Sequence, residues 1–147
     1  MPRLRRLAVV ARPPRRDGLT PVPVCLLAAG TTLKLAAAAF TLAWSHTVER
    51  QPWQEDWRVG RDHLQLVEMR VKGSGAGMDP PAGSHLEGGW YVWRPERELR
   101  EELVLRRADR GDGPVGDWLF CPDEGGCSAL GELVGADSDP VTITACD

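Results

Sequence analysis

The chain has 147 residues, of which 42% are hydrophobic and 27% are charged, and it carries a net charge of −3. These values are typical of one globular domain with a real core, and they exclude a disordered or fibrous chain. The first sixteen residues hold six arginines and no acid, so the rest of the chain is clearly acidic. An acidic body argues against nucleic acid as a partner.

The basic N-terminal residues 1–20 are predicted to form a flexible leader, followed by a single domain over residues 21–147. The apolar run at 7–11 is too short for the hydrophobic part of a signal peptide. Residues 22–44 are long enough to span a bilayer, but Pro23, Gly30 and Lys34 divide them. We therefore expect a first strand at Val22–Ala28 and no direct membrane insertion. The alternatives are an atypical anchor or an upstream start codon that adds a tail without a role.

Residues 40–59 alternate between apolar and polar side chains, which is typical of half-buried strands. Pro52 predicts a bend or a bulge near residues 50–52 between two strands. The alanine-rich residues 34–39 would favour a helix in isolation. In residues 64–71 the apolar face switches from Leu64 and Leu66 to Val67, Met69 and Val71, which indicates a β-bulge.

The remaining sequence predicts short strands joined by turns. Residues 72–83 form a loop by composition, residues 90–94 and 141–146 are strands, and residues 117–121 and 127–130 flank a hairpin turn. Residues 99–107 are either an exposed strand or one helical turn. The predicted fold is all-β, as a single small antiparallel β-sandwich or a partly open β-barrel.

Three of the six tryptophans and one histidine lie in one stretch, as Trp44, His46, Trp53 and Trp57. Tryptophans in such a pattern pack in a core or line a ligand-facing wall. His46, with Glu49 three residues later, is either a ligand contact or acid–base group, or a core histidine bonded to a carboxylate. The histidines lack metal-ligand spacing, so we expect neither a metal nor a cofactor.

Three acids in this stretch allow two interpretations. Glu49, Glu55 and Asp56 could supply a carboxylate pair suited to glycoside chemistry. Beside Arg50 and Arg58, such acids are more often salt-bridged on a surface.

A glycine-rich loop offers a possible anion site, formed by Lys72, Gly73, Ser74, Gly75 and Gly77. Successive backbone N–H groups in such a loop can bind an anion, here best a small organic acid. The loop lacks the phosphate-loop pattern. The alternative is that the glycines only supply positive φ angles for a tight turn.

The four cysteines allow three pairings. Cys121 and Cys127 bracket the predicted hairpin turn, and Cys25 and Cys146 lie at the two ends of the domain. If both pairs form, the protein folds in an oxidising compartment. Reduced, buried cysteines are the alternative.

The runs WSHTVERQPWQEDWRV, LVEMRVKGSGAGMDPP and GGWYVWRP and a closing TAC resemble a bacterial family, domain of unknown function 1850. The resemblance covers about residues 25–146. Thr47 stands where the family commonly has serine. The resemblance implies a companion of TAXI-type tripartite ATP-independent periplasmic (TRAP) transporters with no established activity, and it favours the cell envelope or periplasmic side over the cytoplasm.

Two functions follow as expectations. The first is a non-catalytic accessory module of a solute uptake system, which binds transporter subunits or a small organic anion. The alternative is a small hydrolase or isomerase that uses His46 with Glu49 or Glu55. Both assume that the strands bring the indoles and the imidazole together near the glycine loop.

Overall fold

The computed structural model describes residues 22–45, 52–72, 82–107 and 117–146. These residues form mainly β-strands, as predicted. The strands are β1 (Val22–Ala28), β2 (Thr31–Ala37), β3 (Ala39–Ser45), β4 (Pro52–Val59), β5 (Leu64–Lys72), β6 (His85–Glu87), β7 (Trp90–Trp93), β8 (Leu99–Arg100), β9 (Glu102–Leu105), β10 (Leu119–Pro122), β11 (Ser128–Ala129) and β12 (Val141–Ala145). One short helix, α1 (Leu130–Val134), lies between β11 and β12.

The strands form two antiparallel sheets. The small sheet has the order β2-β1-β12-β9. The large sheet has the order β11-β10-β3-β4-β5-β7-β6, and β8 pairs with β5. The all-β antiparallel prediction is confirmed, and of its two versions the β-sandwich is the one observed, because the described strands make two separate sheets that share one core.

The core consists of apolar side chains from facing sides of the two sheets, because alternate residues of a strand point to the same side. The small sheet contributes Val24, Leu26, Val141 and Ile143, and the large sheet contributes Phe40, Leu42, Trp57, Leu64, Leu66 and Phe120. The rings of Phe40 and Phe120 stack with centroids 5.0 Å apart. We call this side of the large sheet the inner face and the opposite side the outer face.

The alanine-rich segment is extended, contrary to its helical propensity. β2 pairs with β1 over its full length, from Val22 opposite Ala37 to Ala28 opposite Thr31. Ala37 is fully buried. Propensity is a weak preference that pairing and burial override.

The bulge expected in β5 is present. Asp56 lies opposite Glu68, but the next residue, Trp57, lies opposite Leu66. Val67 is therefore the extra residue, and the inner face of β5 passes from Leu64 and Leu66 to Met69 and Val71. Because of the bulge, β5 has apolar residues on the core side both before and after Val67.

Two disulfides join the cysteines in the pairs expected from the sequence. Cys25 of β1 is bonded to Cys146, which follows β12, with Cα atoms 5.9 Å apart. Cys121 and Cys127 are bonded across the turn that joins β10 and β11. The first bond links the two ends of the described domain and the second closes a hairpin.

A buried ion pair anchors helix α1, which the sequence did not predict. Arg107 donates from Nη2 to Asp117 Oδ2 at 2.9 Å. Its Nη1 also donates to the backbone carbonyls of Gly135, Ala136 and Ser138 at 2.9–3.0 Å. These carbonyls follow the last turn of the helix, where acceptors need partners from outside the helix.

Among the described residues, no helix is both long and apolar enough to cross a bilayer. Residues 1–20 lie outside the described ranges, so the division into a leader and one domain at 21–147 stays a prediction.

Candidate functional site

Pairing between β3 and β4 brings four predicted site residues together on the inner face. Trp44 lies opposite Trp53, and Leu42 lies opposite Glu55. Trp57 is two residues beyond Glu55 and points to the same side of the sheet. We call Trp44, Trp53, Glu55, Trp57 and Trp118 the indole–carboxylate cluster.

Glu55 is the polar centre of this cluster. Its Oε2 accepts a hydrogen bond from Trp53 Nε1 and its Oε1 accepts one from Trp57 Nε1, each at 3.0 Å. Trp44 adds a third indole to the cluster. The centroids of the Trp44 and Trp53 rings are 6.1 Å apart, and the interplanar angle is 77°. The ring of Trp118 stacks on that of Trp44, with centroids 5.5 Å apart. The carboxyl group thus accepts hydrogen bonds from two indole edges, and Trp44 and Trp118 extend the aromatic cluster.

Burial dominates the electrostatics of Glu55. Removal from water raises the pKa of the Glu55 carboxyl, and the hydrogen bonds from Trp53 and Trp57 lower it by less. Among the described residues, no lysine or arginine forms an ion pair with it. The side chain is nevertheless half-buried rather than sealed. The site therefore favours a proton or another positive charge next to Glu55.

The outer face carries a second polar network, centred on Arg70. Arg70 Nη1 donates to Asp56 Oδ2 at 2.8 Å, and Arg70 Nη2 donates to Gln54 Oε1 at 2.8 Å. Thr41 Oγ1 donates to Asp56 Oδ1 at 2.7 Å. Glu68 also accepts from Arg70 Nη1. Burial acts to lower the pKa of the guanidinium, but Asp56 and Glu68 outweigh that effect and raise it.

From Glu68 the network continues to the sheet edge. Arg94 Nε donates to Glu68 Oε1 at 2.7 Å, and Arg94 Nη1 donates to Glu87 Oε2 at 3.1 Å. His85 bonds to the same carboxylate. The hydrogen bond from Arg94 is the main cause that lowers the pKa of Glu87, and the hydrogen bond with His85 is the second. This end is exposed, so its ion pairs contribute much less to stability than the buried end.

The carboxylate pair considered for glycoside chemistry is not formed by Glu55 and Asp56. These neighbours point to opposite sides of β4, because successive side chains of a strand alternate. Asp56 is salt-bridged, as the other interpretation held, but it is buried and its partner is Arg70 rather than Arg58. Glu49 and Arg50 lie outside the described residues.

The other predicted site residues are only partly located. His46, Glu49, Gly73, Ser74, Gly75 and Gly77 lie outside the described residues, so the imidazole–glycine site and the hydrolase or isomerase alternative stay predictions. Lys72 is described, and its Nζ lies 5.2 Å from the centroid of the Trp90 ring. Lys72 follows Arg70 by two positions and so belongs to the outer side of β5.

Trp118 and the Arg70 network were not predicted. Trp118 is distant in sequence from the other cluster members and reaches Trp44 only because β10 pairs with β3. The predicted bulge in β5 is the sequence feature that could have indicated the Arg70 network. The bulge places Glu68 opposite Asp56 and Arg70 opposite Gln54. In the described ranges, no three metal-ligating side chains come together.

A search with the chain found no matching curated protein and no matching solved structure. A family model, "Domain of unknown function (DUF1850)", matches residues 40–115, which is more than half of the chain. The matched region includes β3 and β4, which carry most of the indole–carboxylate cluster. The chain therefore belongs to the DUF1850 family.

Proposed function

We propose that this protein is a non-catalytic accessory module of a TAXI-type TRAP solute uptake system, acting on the extracytoplasmic side of the membrane. Family membership supports the association, since the resemblance implies companions of these transporters. The disulfides Cys25–Cys146 and Cys121–Cys127 support the compartment, because such bonds persist in oxidising environments.

The observation that carries the proposal is the enclosure of Glu55 by indoles. Each carboxyl oxygen is held by one indole N–H, and the neighbouring inner-face residues are aromatic or apolar. No hydroxyl, thiol or imidazole of the described residues bonds to Glu55, so these residues supply no activated nucleophile there. A half-buried aromatic wall around one fixed polar group is a typical small-molecule binding arrangement.

The partners proposed for the module are the transporter subunits and the solute that they carry. An anionic solute would need the glycine loop and Lys72, which is engaged with Trp90. The indole–carboxylate cluster provides a separate contact for the solute, since all of its members except the buried Trp57 are accessible in part.

Co-purification tests the association with the transporter. The protein is mixed with the solute-binding and membrane subunits of a TAXI-type transporter from the same bacterium, reconstituted in nanodiscs. We expect a stable complex with these subunits, and none with an unrelated membrane protein in the same nanodiscs. Failure to bind the transporter, with the protein folded and both disulfides intact, would contradict the proposal.

A further inference from the structure

We propose that the indole–carboxylate cluster binds an organic ammonium group, with Glu55 as its counter-ion and the rings of Trp44 and Trp53 as its walls. This inference rests on the proposed function, because it takes the cluster to be the solute contact. The ammonium group proposed for the cluster is a different part of the solute from the organic acid group proposed for the glycine loop.

The charges around Glu55 favour a cation as the ligand. Strand alternation directs Arg58 and Arg70, the arginines nearest to it on β4 and β5, to the outer face. Arg70 is already bonded to Asp56 and Glu68 there. A carboxylate removed from water is costly unless a positive charge lies beside it. A bound ammonium ion supplies the charge that the described inner-face residues do not.

The carboxylate of Glu55 has hydrogen-bonding capacity beyond its two bonds to described residues. An ionised carboxylate has about four lone-pair positions, and Glu55 uses one on each oxygen for an indole N–H. The remaining positions accept hydrogen bonds from an ammonium group. Among the described residues, an anion finds no corresponding partner at Glu55, because both indole N–H donors are bonded to the carboxyl oxygens and an ionised Glu55 repels a second negative charge.

The arrangement of the tryptophan rings also favours a cation. Trp44 and Trp53 stand nearly perpendicular, at 77°, and their centroids are 6.1 Å apart. Trp118 backs Trp44 in a nearly parallel stack at 18°. Tryptophan faces attract cations, and combinations of such rings recognise organic ammonium ions. All three rings are half-buried, so a small ligand can reach them.

The test compares three ligands that share one chain and differ in charge: n-butylammonium, n-butanol and butyrate. Their binding to the intact, oxidised protein is measured by calorimetry and by tryptophan fluorescence. We expect n-butylammonium to bind more than about tenfold more tightly than either of the others, since its charge-assisted bond is absent from them. Equal or tighter binding of butanol or butyrate, or no binding of n-butylammonium, would overturn the inference.

A pair of variants then locates the site. Glu55→Gln should weaken n-butylammonium binding more than about tenfold, because the counter-ion is lost. Glu101→Gln makes the same change at an exposed position and should leave binding unchanged. Equal affinities of the two variants would refute the role of Glu55. If Glu55→Gln fails to fold, the charge series on the unaltered protein still decides the question.

This outcome is separable from that of the proposed function. Complex formation with the transporter is measured without any amine, and ammonium binding is measured without the transporter. If the protein binds n-butylammonium but not the transporter, the accessory role alone is refuted. If it binds the transporter but not n-butylammonium, the ammonium site alone is refuted.

Discussion

Glu55 and Asp56 are adjacent acids on one strand, yet they occupy opposite environments. Asp56 on the outer face accepts hydrogen bonds from Thr41 and Arg70 and forms an ion pair with Arg70 in which the side chains are 6% and 10% exposed. Glu55 on the inner face accepts only indole N–H donors among the described residues. Among the described residues, Asp56 has a cation beside it and Glu55 does not.

The difference shows how a strand separates structural from binding chemistry. A one-residue step moves a side chain from one face of the sheet to the other. The outer-face acid accepts hydrogen bonds from β3 and β5 and so fixes β3, β4 and β5 to one another. The inner-face acid keeps acceptor capacity beyond its bonds to the described residues, and this capacity makes the cluster a candidate site.

Removing the cation from the outer face should have the largest effect. Arg70→Met leaves Asp56 buried without a positive partner, so we expect the free energy of unfolding to fall by about 3–5 kcal/mol. Urea unfolding measures this change. Arg94→Met, at the exposed end of the same network, is the control and should cost much less. Similar losses for the two variants would refute the buried role of Arg70.

Neutralising Asp56 and Glu55 in separate variants should show that the acids on the two faces contribute differently to stability. Asp56→Asn should destabilise the fold by about 2–3 kcal/mol at neutral pH, because Arg70 loses its buried carboxylate. Glu55→Gln should change the free energy of unfolding by less than about 1 kcal/mol. The variant loses one oxygen that accepts an indole N–H, but it no longer holds a charge away from water, and the two effects offset each other. Chemical denaturation of both variants provides the comparison. An equal or larger loss for Glu55→Gln would show that Glu55 is the structural acid.

The stability of the protein should depend on pH through Glu55. The pKa of Glu55 is raised in the folded state, so above the ordinary value of 4.5 the unfolded chain releases this proton first. The unfolded state then binds fewer protons than the folded state, and the free energy of unfolding falls as pH rises through the folded-state pKa. One proton limits the slope to about 1.4 kcal/mol per pH unit.

Glu55→Gln lacks this proton and should lack this part of the pH dependence, whereas Glu101→Gln should keep it. Unfolding curves at several pH values between acid and neutral conditions measure the difference. If the curves for Glu55→Gln and the unaltered protein run parallel, Glu55 does not titrate abnormally.

Local pattern predicted the strands that carry the cluster. Alternation from Phe40 onward placed Trp44, Trp53, Glu55 and Trp57 on β3 and β4, and the switch of apolar residues in β5 revealed the bulge. These features depend on side-chain period, which is visible in a single sequence.

Long-range pairing limited the rest of the prediction. Arg70 lies fourteen residues from Asp56 and meets it only through the bulged register of β4 and β5. The alanine-rich β2 and the short helix α1 are set by neighbours, namely β1 in one case and Arg107 in the other. Local propensity contains neither contact.

Titration of the Glu55 side-chain carboxyl by carbon NMR tests the central claim most directly. The contrast between the two faces predicts a pKa for Glu55 above 4.5 in the folded protein, because desolvation outweighs the two indole hydrogen bonds. Added n-butylammonium should lower that pKa by stabilising the ionised form, and n-butanol should not. A Glu55 pKa at or below 4.5 in the free protein would contradict the account, since it would mean that desolvation does not dominate at this carboxyl.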